Sequence, residues 1–307
     1  MSVSVASQAL TGQAIVTRRP IGRKVRIAVV VAVVAIGAGA VATVAGGARW
    51  TRATNELTAQ LTAKGAAPAR AIAFAELAGL PAPVQRYLRM ALRDGQARPI
   101  SVRLEQSGRL RTGVESDQWL DFEAAETIVP DARGFVWDAR IRLAPLLHVA
   151  VRDAYVDGTG RSDVAFQSAV TLSAPRGGHE LDAGDLYRLL AEAPWAPTLL
   201  LPREGLTWAR INDRRALASL TQRGETATVE FRFNDAGEIA AIFAAERPRS
   251  FGTTYVGTAW EGRFDRYVTV DGVRVPQAGQ VGWWIEDRWI PVWQGTVKRF
   301  AFDFAER

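Results

Sequence analysis

The feature that most restricts how this chain can fold begins near residue 100, where the hydrophobic period becomes 2. Val102, Leu104 and Leu110 alternate with Arg103, Glu105, Arg109 and Arg111. Phe135, Trp137, Ala139, Ile141 and Leu143 alternate with Asp138, Arg140 and Arg142. Ala227, Val229, Phe231 and Phe233 do so with Thr228, Glu230 and Arg232. Neighbouring strand residues point to opposite faces, so such runs bury one face and wet the other, as antiparallel strands do. Asp157-Gly158, Asp235-Ala236-Gly237 and Asp271-Gly272 fall between these runs and suit hairpin turns that need positive φ. The pattern predicts about 10–12 strands up to residue 304.

Two helical stripes accompany the strands. Pro83 suits a first helical turn, and Val84, Tyr87, Leu88, Ala91 and Leu92 share one face, closed by Asp94-Gly95. A second helix is capped around Asp182–Asp185, carries Leu186, Leu189, Leu190 and Ala193, and ends at Pro194. The connection that follows, 195–202, is unusually apolar. The fold class expected is α+β, with an N-terminal transmembrane helix followed by a large curved antiparallel sheet or open barrel and two or more packed helices.

The transmembrane expectation rests on Ile27–Ala48, 22 residues without a charge. As a helix this run spans about 33 Å, enough for a hydrocarbon core of about 30 Å. Arg18, Arg19, Arg23, Lys24 and Arg26 precede it, which places 1–26 in the cytoplasm and the rest outside. A cleaved signal peptide with small-residue sites at Ala38–Ala42 is the competing reading. The expected organisation is a basic leader at 1–26, a membrane helix at 27–48, a stalk and helix at 49–79, and an extracytoplasmic domain at 80–307. The same asymmetry explains the charge. Of the net +6, seven basic residues and no acid lie in the first 52 positions, leaving 31 basic and 32 acidic residues beyond. A nucleic-acid partner is therefore not expected.

Chemistry is narrowed by what is missing. The chain has no Cys and only His148 and His179, so thiol chemistry and a His-rich metal site are excluded, and no cofactor is implied. No phosphate-loop, nucleophile-elbow or zinc-protease pattern occurs. No catalytic residue is assigned.

Several blocks carry a resemblance. They are Leu80–Tyr87, Val136-Trp137-Asp138-Ala139-Arg140-Ile141, Arg152-Asp153-Ala154-Tyr155-Val156-Asp157-Gly158, Leu190–Thr198 and Trp260-Glu261-Gly262-Arg263-Phe264. Together they resemble an uncharacterised bacterial membrane-anchored family whose function is unknown, so the resemblance implies no activity. The strand layout is also similar to the lipoprotein-carrier class of curved sheets, which implies a shelter for acyl chains.

The candidate ligand-binding residues follow from aromatic load and parity. Ten tryptophans can wall an apolar site, and Trp137, Trp195 and Trp260 stand next to or near the acids Asp138, Glu192 and Glu261. Asp153 and Tyr155 share the apolar parity of Leu147, Val149 and Val151, so Asp153 directs a carboxylate inward and requires a partner, for which Arg140 and Arg142 are candidates. The expected function is binding of a hydrophobic ligand such as lipid. The alternatives are a structural or partner-binding envelope protein, and a hydrolase of envelope glycans or lipids that uses two of these carboxylates.

Overall fold

The computed structural model describes residues 23–65, 70–252 and 254–304, with side chains from 37 onward except 38. Contacts divide the chain into residues 1–42 and 43–307. In the first unit the described backbone is helical from Arg23, the start of α1 (Arg23–Lys64). Among the described residues no helix is long and apolar enough to cross a membrane. Half of the span expected at 27–48, residues 27–36 and 38, lies outside the residues whose side chains are described.

The second unit is built on one antiparallel sheet of thirteen strands. Its first wing is β1 (Pro99–Leu110), β2 (Leu120–Val129), β3 (Gly134–Ala144), β4 (Leu147–Val156), β5 (Thr159–Phe166) and β6 (Val170–Ser173). After α3 (His179–Ala191) the second wing is β7 (Leu206–Asn212), β8 (Arg215–Gln222), β9 (Glu225–Phe233) and β10 (Ile239–Phe251). It finishes with β11 (Thr254–Val270), β12 (Val273–Ile285) and β13 (Arg288–Phe304). Each wing is a meander, and β1 pairs with β13 to join them, leaving β6 and β7 as the edges. The alternation predicted 10–12 strands, and the count is corrected to thirteen. The edge strands explain the difference: β6 is four residues long and exposed throughout, and β7 buries only Leu206, so neither shows a strong alternating signal.

Helix α3 packs on β4 and β5 and also on β8, β9 and β10. Those strands lie toward opposite edges of the strand order, so the sheet curls around the helix. Arg223 on the β8–β9 turn donates to Asp157 on the β4–β5 turn at 2.7 Å, linking the wings. Helix α2 (Ala82–Ala91) buries Val84, Tyr87, Leu88 and Ala91 in the same core. The apolar connection after α3 is buried as well, which its backbone hydrogen bonds permit. Trp195 N–H donates to the Glu192 carbonyl, Ala196 to Ala193, and Leu199 to Ala196.

The opposite face of the first wing is also covered. Leu57 and Leu61 of α1 pack with Val129, Val136 and Ala154, the residues whose parity points away from the main core. Trp50, Thr54, Leu57 and Leu61, within the range 49–79 expected as stalk and helix, thus lie on the sheet's outer face.

Candidate functional site

Inside the curl lies a cavity of ≈ 510 Å³. Its walls follow from strand parity: Ile141 and Leu143 of β3, Val149 and Val151 of β4, and Val164 of β5 all face inward. The far wall is aromatic. Trp195 meets Phe264 edge-on at 5.5 Å and Trp293 at 6.2 Å, and Trp293 stacks on Phe122 at 5.6 Å. These rings lie close over backbone. A Cβ on Gly295 would stand 2.2 Å from the Trp293 ring, so glycine is required there. Trp137 donates its indole N–H to Gln106 at 2.9 Å and Trp195 donates to the Pro276 carbonyl at 3.0 Å. With their polar atoms satisfied, both indoles offer carbon surface to the cavity.

One end of the cavity is polar, centred on Arg188 of α3. Its Nε donates to Glu192 at 2.7 Å and its Nη1 to Asp153 at 2.9 Å, while Nη2 stands 3.6 Å from Glu126. The guanidinium also lies over Phe135 at 4.6 Å and Trp137 at 5.1 Å. Burial alone would lower the Arg188 pKa, but Glu192, Asp153 and Glu126 together outweigh it, so the cation is held firmly. Ser162 donates to the second oxygen of Asp153 at 2.7 Å, and Gln106 to Glu126 at 2.9 Å.

This cluster contains more carboxyl oxygens than donors. Glu126 Oε1 and Glu192 Oε2 are buried without a hydrogen-bond partner in the described side chains. Burial first, and then neighbouring Glu192, push the Glu126 carboxyl well above the usual range, against Arg188 and Gln106. A proton held on Glu126 gives Glu192 the donor it lacks. Nearby Asp185 is pushed up to about 8, mainly by burial and then by Asp153. Arg247 lines the cavity over Trp260 at 4.4 Å, and burial lowers it to about 10. The residues thus form a neutralised, partly protonated end to an otherwise apolar chamber. Among the described residues no group of three or more acids or histidines is arranged to hold a metal.

Of the residues expected from sequence, the structure brings Trp137, Asp153, Glu192, Trp195 and Trp260 to the cavity. It does not bring Asp138, Tyr155 or Glu261 there. Asp138 points to the opposite face, where Trp50 donates to it at 2.9 Å and Thr54 also donates. Glu261 accepts from Arg263 at 2.7 Å and Trp284 at 3.2 Å. Tyr155 is fully buried in the core. The partner of Asp153 is Arg188, in place of the expected Arg140 or Arg142, whose parity faces outward. Asp153 and Glu192 share the Arg188 guanidinium at the polar end of the cavity, while Asp138 and Glu261 lie elsewhere. Sequence reasoning missed Gln106, Glu126, Arg188 and Arg247. Glu126 carried a readable signal, since it shares parity with Leu120, Phe122, Ala124 and Ile128.

The family described as "Family of unknown function (DUF6920)" matches residues 78–302. No curated protein matches the chain. Among solved structures, similarity extends to a LolA superfamily protein from Nitrosomonas europaea, at 10% identity and TM-score 0.39, covering 73% of this chain and 93% of that one. A putative outer membrane lipoprotein-sorting protein domain from Vibrio parahaemolyticus is similar at 7% identity and TM-score 0.38, covering 67% and 87%.

Proposed function

The chain belongs to that family of unknown function, DUF6920, and on this premise we propose that its curved-sheet unit binds a hydrophobic ligand such as lipid. Residues 27–48 anchor it in the cytoplasmic membrane, with the sheet outside. The observation that carries the reading is the cavity of ≈ 510 Å³ among Ile141, Val149, Val164 and the Trp195–Trp293 wall. Pockets of this volume and lining suit small apolar ligands, and a purely structural core would be expected to close it, because voids of this size forfeit packing energy. The ligand contacts are Trp137, Trp195 and Trp260 along its body and Asp153 and Glu192 near its polar end. The charge-free run of 22 residues, flanked on its N-terminal side by five basic ones, supports the anchor and its orientation.

Native mass spectrometry of the full chain extracted from cell envelopes tests this. The expected result is a bound amphiphile, and a bare mass under gentle activation would overturn the reading. Ala191 of α3 is buried against the cavity. Ala191→Phe fills that space and is expected to remove most of the bound ligand while the chain stays folded.

A further inference from the structure

Apart from Val41 and Val44 on α1 and Ile211 on β7, the large hydrophobic side chains that face solvent fall on three hairpins. Strands β1, β3, β5, β8, β10 and β12 run in one direction in the antiparallel sheet, and β3 and β5 are close enough in the strand order for the turns that follow them to be neighbours. The exposed Leu143, Leu146 and Leu147 belong to the β3–β4 hairpin, Val170 and Leu172 to β5–β6, and Phe251, Tyr255 and Val256 to β10–β11. The first two hairpins are tied together: Gln167 donates to the Leu146 carbonyl at 2.8 Å, and His148 Nε2 meets the Ser168 hydroxyl at 3.1 Å. They form one apolar tip.

Leu146 is doubly out of place there. It is 95% exposed, and its φ of 67° lies in the left-handed region that glycine and asparagine enter more easily. A leucine held in that conformation carries backbone strain and also leaves its side chain in water, and an apolar surface that received it would remove the second cost. Leu143, on the same hairpin, is exposed and also lines the cavity, so the tip adjoins the cavity mouth.

The sequence indicates what receives it. Gly46 of α1 lies against Ala169 of the β5–β6 turn, so closely that a Cβ on Gly46 would stand 2.5 Å from it. The tip is thus pinned beside the last residues of the charge-free 27–48 run. We propose that the β3–β4 and β5–β6 tip inserts into the outer leaflet of the bilayer that the run anchors. The cavity mouth at Leu143 then faces lipid, and an acyl chain can pass between leaflet and cavity without crossing water. This rests on the ligand and anchor reading above but makes a separate demand on position.

The chain has no cysteine, so single labels can be placed cleanly. The full chain carrying Leu146→Cys with an environment-sensitive fluorophore is reconstituted into phosphatidylglycerol–phosphatidylethanolamine vesicles containing nitroxide-labelled lipid. Ala236→Cys, on the β9–β10 turn at the opposite strand ends, serves as the reference. Insertion predicts blue-shifted emission and strong nitroxide quenching at 146 with neither at 236, and Val170→Cys behaves as 146 does. Equal, water-like signals at 146 and 236 would overturn the proposal. So would a signal at 146 that depends on protein-to-lipid ratio, because a second copy would then be covering the tip. Native mass spectra of the same samples separate the two ideas. Bound amphiphile with a water-exposed 146 sinks only the insertion, whereas an inserted 146 with an empty cavity sinks only the ligand reading.

Discussion

Two arginines that meet opposite faces of the first wing, the buried Arg152 and the half-buried Arg188, show how differently one side chain can be partnered. On the α1 side, Arg152 donates to Asp163 through Nε at 3.2 Å and Nη2 at 2.7 Å. Its Nη1 donates to the Trp50 carbonyl and the Thr54 hydroxyl, and its plane lies 4.3 Å from the Trp50 ring. Asp163 takes a further bond from Arg161, and these contacts hold its carboxyl lower despite burial. Acceptors and donors there are matched. On the cavity side Arg188 faces three carboxyl groups, and two buried oxygens lack donors. The first arrangement fastens a helix to a sheet. The second is short of donors among its side chains and is balanced only by a proton held between two carboxyl groups at the end of a chamber.

The contrast can be broken from either side. Arg188→Met carries the largest expected effect, a loss of about 3–5 kcal/mol, because it strands buried carboxylates without their shared cation. Denaturant unfolding of the full chain, followed by tryptophan fluorescence, measures it. Arg152→Met should lose less, about 1–3 kcal/mol, since Asp163 keeps Arg161, and Asp138 keeps Trp50 and Thr54. If the order reversed, the α1 face would be the one with unmet demand. Glu126→Gln has the smallest and opposite effect. Its amide can donate permanently to Glu192, doing what the proton does in the native chain.

The pH dependence follows from the same groups. Glu126 and Asp185 have folded pKa values above their unfolded ones, the latter at about 8. The folded state therefore holds more protons than the unfolded state from about pH 4 upward, and stability falls as pH rises through that window. Glu126→Gln should raise the Tm at pH 8 by about 2–4 °C, the shift expected for ~1 kcal/mol in a unit this large. Near pH 4 it should change little. An unchanged slope of Tm against pH would show that Glu126 is ionised in the fold.

Much of the sheet was legible from alternation, because a strand with one buried face must repeat every second residue. The site was legible only where the same rule was applied consistently. Asp153 was found because a carboxylate occupied an apolar parity, and Glu126 satisfies that rule equally well. Asp138 and Glu261 stand out in the sequence by adjacency to Trp137 and Trp260, yet adjacent strand residues face opposite sides. Parity itself argued against placing each acid beside its tryptophan's cavity face. Arg188 was invisible for another reason. Its helix was read from its apolar stripe, and a long cation that reaches into a core from the stripe's border leaves no periodic mark.

The pairing of β1 with β13 has a consequence for how the chain assembles. Pro99 lies opposite Phe304, so the central seam of the sheet joins the two sequence extremes of the strand-bearing region. A chain emerging from its N-terminus can form two separate meanders, but each keeps an open edge until the final seventeen-residue strand arrives. Closing that seam requires the most distant contacts in the sheet, which slows folding and leaves strand edges unprotected meanwhile. A chain shortened before Arg288 would lack its keystone, and its two half-sheets would be prone to pair with those of other copies.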